Sequence, residues 1–163
     1  MRADEGFYYE AEVAWTRGRS GELKSEELPT LQVAAPPGFG GRENTWTPEH
    51  LYVGAVASCF MLTFLALAER SKLELMTLGV SGRGKLDKIE GAGFQITEVT
   101  LKPTVVVRHV DDMQRVERLL AKAEQGCFIA ASIKSRVRVL PRVYHRQLPV
   151  CPCPAVSVAP VPG

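Results

Sequence analysis

From Leu51 to Ala68 nearly every residue is apolar or small, with Ser58, Cys59 and Thr63 set among them. The run opens on strong helix punctuation, Thr47-Pro48-Glu49. Thr47 can accept from the first free amides, Pro48 suits the first helical position, and Glu49 complements the positive end of the macrodipole. A helix from there to about Lys72 has no face left for water, so it is expected as a buried central helix. Its length also meets the roughly 17 to 25 residues of a membrane span. Against a span, Gly54, Ala55, Ala57, Ser58 and Ala66 dilute the hydrophobicity, and the amphipathic segments on either side need a globular core to pack on. Burial against sheets and a partner subunit satisfies both observations.

The flanking segments supply those sheets. Residues Phe7 to Trp15 alternate, Arg17-Gly18-Arg19-Ser20-Gly21 carries turn chemistry, and a second apolar run extends from Leu28 to Ala35. This predicts two or three antiparallel strands, closed by a loop at Pro36-Pro37-Gly38-Phe39-Gly40-Gly41. Beyond the helix, Leu73 to Asp87 and Phe94 to His109 flank Glu90-Gly91-Ala92-Gly93 and read as a hairpin. Asp111 to Gln125 places Met113, Val116, Leu119, Leu120 and Ala123 on one face, with Asp111 and Gln114 spaced as a capping box and Gly126 as a stop. A short apolar segment, Cys127 to Ile133, precedes a closing strand from Arg136 to Val143. The class is therefore α+β: one domain over residues 1–146, then a tail over 147–163, rich in Pro and Val and without periodicity.

Charge excludes some partners. The formal net charge is +2 and 23% of residues are charged, which gives no electrostatic case for nucleic acid or an anionic membrane. A small, weakly charged substrate fits better. The first residues, Met1-Arg2-Ala3-Asp4-Glu5, lack a following apolar segment or small-residue cleavage site, so a cytoplasmic location is expected. Disulfides there are uncommon and usually transient, and the four cysteines read as redox, metal or buried thiols rather than as a framework.

Free cysteine is among the most buried residue types, so Cys59 or Cys127 taken alone is at home as a core thiol. Taken together, they are a plausible peroxidatic and resolving pair. Cys151-Pro152-Cys153 with His145 offers three soft ligands, but the spacing is not that of paired zinc cysteines and no second pair exists. No metal or other cofactor is expected. His50 and His109 have no recognisable ligand partners and read as exposed or capping.

Thr47-Pro48-Glu49-His50-Leu51, followed by Ala55-Val56-Ala57-Ser58-Cys59-Phe60, resembles the signature of the OsmC/Ohr family. Ala123-x-x-Gly126-Cys127 is similar to the turn that carries the family's second cysteine. The resemblance covers roughly residues 7 to 144, and the ten-residue step from Glu49 to Cys59 is its most specific part. The family often has Pro directly after the second cysteine, where this chain has Phe128, and the tail has no counterpart.

The resemblance implies an OsmC-like fold, an intertwined homodimer and a peroxidase acting on organic hydroperoxides. Cys59 would be the nucleophile, Cys127 the resolving thiol, and a dithiol such as a lipoylated protein the reductant. An ordinary thiol is only a few per cent ionised at neutral pH, so attack on an O–O bond needs a nearby cation. A guanidinium about 4 Å from the sulfur favours the thiolate by up to about 4 kcal/mol before desolvation is subtracted. Arg19, in Arg19-Ser20-Gly21, resembles the family's arginine; Arg17 and Arg42 are rivals, and an arginine in a Gly-rich loop is often merely solvated. Glu49 would orient that arginine through a bidentate pair, besides serving the helix dipole. Ten residues of helix put Glu49 about 15 Å from Cys59 along the axis. The arginine must bridge that gap, the helix must bend near Gly54, or the residues must meet across a subunit boundary. Phe39, Phe60, Met61 and Phe64 would favour an apolar peroxide, or are simply core. The other reading is a noncatalytic OsmC-fold protein that binds a small apolar ligand.

Overall fold

The computed structural model of the chain describes residues 6–146. The tail, with Cys151 and Cys153, lies outside them. Three short strands come first, β1 (Glu12–Arg17), β2 (Ser20–Lys24) and β3 (Leu31–Ala34), and they pair antiparallel in that order. The turn between β1 and β2 sits at Gly18 and Arg19, with Gly18 in the left-handed region at φ 52 that its missing Cβ permits. The loop that follows tightens into a single 3-10 turn at Pro37–Phe39 and packs the Phe39 ring edge-on against Phe94 at 5.3 Å.

Helix α1 (Pro48–Arg70) starts where its punctuation predicts: the Thr47 hydroxyl accepts from the His50 amide and also meets His50 Nδ1 at 3.0 Å. It buries one stripe, Val56, Phe60, Phe64 and Ala68, spaced four residues apart. The other faces, expected to be covered by sheets and a partner subunit, are largely open within one chain. Within one chain only 22% of its most apolar stretch is buried, and Leu62 is 60% exposed. The cause is that β1, β2 and β3 pack chiefly on one another and leave the outer face of α1 uncovered.

The hairpin is present as β4 (Leu75–Ile89) and β5 (Gly93–Val107), antiparallel along its length with bulges between Leu75 and Thr77 and between Lys85 and Leu86. Alternate residues of β5, Val99, Leu101, Val105 and Val107, are fully buried beneath α1 and α2 (Met113–Gly126). Helix α2 contributes Val116, Leu119, Leu120 and Ala123 to the same core, as its periodicity predicts. Its capping box does not form. A 3-10 turn at Val110–Asp112 takes up the entry, so Asp112 becomes the cap, makes no capping bond, and pairs with Arg115 at 3.6 Å.

The closing strand is two strands. A four-residue helix α3 (Phe128–Ala131) leads to β6 (Arg136–Val139) and β7 (Arg142–His145), both parallel to β5. Pro141 separates them because it has no N–H for the ladder. Helix α1 lies very close to β4: a Cβ on Gly82 or Gly84 would come within 2.8 and 2.7 Å of the Val53 methyls. Those two glycines set the depth at which the helix seats on the sheet.

Candidate active site

Cys59 stands midway along α1, partly buried, and Cys127 stands at the joint between α2 and α3, 2% exposed. The joint exists because Cys127 leaves the helical conformation (φ −76, ψ 108) at the end of α2 and α3 restarts immediately after it. Gly126 lets this joint approach α1, since its Cβ position lies only 3.4 Å from the Thr63 methyl. The two thiols are thereby neighbours, each acting on the other's ionisation, and the Cys127 thiol donates to the Val56 carbonyl at 4.0 Å.

The two sulfurs are not equivalent. Burial opposes ionisation of Cys59, but it is outweighed by the Ile129 amide, the Cys127 thiol and the Phe128 amide beside the sulfur, which hold its pKa below the ordinary thiol value, while the Thr63 hydroxyl donates to the Cys59 carbonyl at 2.8 Å. Burial pushes the Cys127 thiol up, and the neighbouring Cys59 sulfur adds to this, against partial relief from the amides of Ala130 and Ile129. Cys59 is thus the more readily ionised of the two sulfurs. That is the asymmetry a nucleophile and a resolving thiol require.

The Cys59 sulfur opens on a groove of about 710 Å³ that runs along α1 past Leu62, Thr63 and Ala66 to Arg70, with Phe128 and Ile129 as its other wall. Of the apolar set read from the sequence, Phe60 and Phe64 take the core alternative and face the opposite way, Phe39 packs on Phe94, and Met61 does not line the groove. Residues 62, 63, 66 and 70 follow Cys59 at the i+3, i+4, i+7 and i+11 spacing of one helix face, a signal readable beforehand. Phe128 and Ile129 carry no such signal because they come from another element.

Arg19 and Glu49 lie elsewhere within the single chain. The Arg19 guanidinium donates to the Phe39 carbonyl, and Arg17 and Arg42 are exposed and line no part of the Cys59 groove. Among the described residues of the one chain, no guanidinium is a group that acts on Cys59. Glu49, in the first turn of α1, faces a second groove of about 510 Å³ with Trp46, His50, Val53 and Arg83, and its Oε2 is buried without a hydrogen-bond partner among the described residues. The structure therefore joins Cys59 to Cys127 and leaves the predicted arginine and carboxylate outside that pair.

Comparison with known proteins bears on the family and the fold. The sequence profile of the family described as OsmC-like protein matches residues 40–140. An uncharacterised protein of Bacillus subtilis strain 168, YmaD, is 30% identical over 140 residues, spanning 84% of this chain and 92% of its own length. Peroxiredoxin OsmC of Escherichia coli K12 is 29% identical over 105 residues, 63% of this chain and 72% of that protein. Among solved structures, an OsmC-like protein of unknown function from Vibrio cholerae superposes with a TM-score of 0.78 at 24% identity, covering 84% of this chain and all of the other. An organic hydroperoxide resistance protein from Elizabethkingia anophelis gives 0.69 at 23%, covering 88% and 99%. With its profile match across the core helix and both cysteines, and with this α+β fold, the chain belongs to the OsmC-like protein family.

Proposed function

We propose that this protein is a cytoplasmic thiol peroxidase that reduces organic hydroperoxides. The reading rests on one observation above the others, the juxtaposition of Cys59 with a less acidic Cys127 at an apolar groove. The Cys59 thiolate attacks the terminal peroxide oxygen, the O–O bond breaks, and the alkoxide leaves and takes a proton to become the alcohol. Cys59 is then a sulfenic acid. The Cys127 sulfur attacks it, gives up its proton, and hydroxide departs as water, leaving a disulfide. An external dithiol, such as a lipoylated protein, returns both thiols by exchange. The groove walls of Leu62, Ala66, Phe128 and Ile129 favour an apolar peroxide over hydrogen peroxide.

The active unit in this proposal is a homodimer. Its two supports are the uncovered apolar face of α1 and the partnerless Glu49 carboxylate, which a second copy's Arg19 would satisfy by a bidentate pair. Titration with cumene hydroperoxide, followed by mass spectrometry, tests the chemistry. Both thiols should be lost together as a Cys59–Cys127 disulfide, and Cys59→Ser should abolish turnover. Oxidation no faster than that of free cysteine would favour a noncatalytic binding protein instead, a reading supported by the lack of an arginine acting on Cys59 among the described residues of one chain.

A further inference from the structure

Gly126 and Cys127 bring the joint between α2 and α3 onto α1, and the chain stays against that helix beyond the joint. The Gly126 Cβ position meets the Thr63 methyl, the Cys127 thiol donates to the Val56 carbonyl, and further on Ser135 meets Tyr52, hydroxyl to hydroxyl, at 2.7 Å. Tyr52, Val56, Cys59 and Thr63 follow one another at i, i+4, i+7 and i+11, a single face of α1. Residues 126–135 therefore run down that face against the direction of the helix, and α3 is held between a tie at Cys127 and a tie at Ser135. The second tie is a chain of two hydroxyls. Ser135 is 8% exposed, and its Oγ also reaches the Ile96 carbonyl of β5. A carbonyl only accepts, so the Ser135 proton goes to Ile96 and the Tyr52 hydroxyl donates to Ser135. The Tyr52 ring packs against the core, and neither residue lines the Cys59 groove.

We infer that Tyr52 and Ser135 are positioning residues: their hydroxyl chain pins the far end of residues 127–135 to α1 and keeps the Phe128 and Ile129 amides seated at the Cys59 sulfur. The inference rests on the reading of Cys59 as an activated thiol and supplies what holds its activators in place. The four residues of α3 are too few to be a stable helix by themselves, so the direction of those amides is set by whatever fixes the two ends. Cys127 fixes one. At the other, the segment also hangs from β6, but no other side-chain hydrogen bond among the described residues ties it to α1. Without the Tyr52 hydroxyl the amides spend part of their time turned away from the sulfur. The bland role of the pair is to satisfy one another's hydrogen bonds between α1 and the sheet. That role bears on stability and leaves the acidity of Cys59 untouched.

The test reads the ionisation of Cys59 in the full-length reduced chain, as the rate of its alkylation by iodoacetamide against pH, with the modified peptide identified by mass spectrometry. Tyr52→Phe keeps the ring and removes only the donor. Its profile should move to more alkaline pH, with alkylation at neutral pH slowed about threefold. Ser135→Ala should do the same, and the double variant should shift no further than the larger single shift, because both break one chain. Ser135→Thr keeps a hydroxyl and should hold the wild-type profile. Urea denaturation runs alongside, since a merely structural role lowers the midpoint and leaves every profile where the wild type has it. Unchanged profiles, additive shifts in the double variant, or a Ser135→Thr shift equal to that of Ser135→Ala overturn the inference. So does a wild-type Cys59 no more acidic than free cysteine. Should Ser135→Ala fail to fold, Tyr52→Phe decides alone. No peroxide enters the measurement: an alkaline shift in Tyr52→Phe sustains the inference even where wild type fails to reduce cumene hydroperoxide, and that failure brings down the peroxidase reading alone.

Discussion

At the scale of single residues, the acidity of Cys59 is a backbone property as much as a side-chain one. The amides of Ile129 and Phe128 are aimed at its sulfur by the kink at Cys127, and each is worth more to an anion than to a neutral thiol. Phe128→Pro removes one of these donors, because proline has no N–H, while proline still suits the first position of α3. The Cys59 pKa should rise, and the rate of its alkylation by iodoacetamide, followed against pH, should shift to more alkaline values; an unchanged profile would show that the Phe128 amide contributes nothing. Because the Cys59 pKa is depressed in the folded state, its thiolate contributes stability that is present above the unfolded thiol's pKa and lost as pH falls through the lower folded value. Peroxide attack should weaken over the same acidic limb. The cysteine pair was legible in the sequence through its resemblance to a known signature. The donors were not, since a backbone amide leaves no mark in a sequence.

At the scale of elements, the site depends on how deeply α1 seats on β4. Val53 lies against Gly82 and Gly84, and a valine in a helix has essentially one comfortable rotamer, so its methyls cannot swing aside. Gly84→Ala should therefore cost about 1–3 kcal/mol in urea denaturation, the usual toll of overpacking. Val53→Ala in the same chain should recover most of it. Failure of the double variant to recover would mean that the glycine is required for the strand itself and not for the helix. The start of α1 was readable from Thr47 and Pro48 because capping chemistry is local, and the hairpin was readable because its turn is. The break at Pro141 was equally local and readable in principle, for a strand cannot be bonded through proline. The false capping box at Asp111 has the opposite lesson: the spacing was right, but a 3-10 turn consumed the residue that was to act as the cap.

At the scale of the whole molecule, an apolar face of α1 and the polar orphan Glu49 Oε2 are each costly in water and each curable by a second copy. Periodicity established that α1 is apolar all round, but it has no means of telling which chain does the covering, and this is why a helix read as buried stands half open in one chain. A dimer whose sites are built from both chains makes a sharper prediction than a dimer alone. Cys59→Ser and Arg19→Ala chains should each be inactive or slow as separate homodimers. Unfolded together in equal amounts and refolded, half of the dimers are mixed. If Arg19 serves the other copy's Cys59, every mixed dimer holds one site with both residues intact and one with neither. Activity should then return to about a quarter of the wild-type rate per chain, with light scattering reporting dimers throughout. If Arg19 serves the cysteine of its own chain, each site in the mixed dimer lacks one residue or the other and refolding restores nothing. Monomers by light scattering would remove the composite site altogether, leaving the amides of α3 as the sole activators of Cys59.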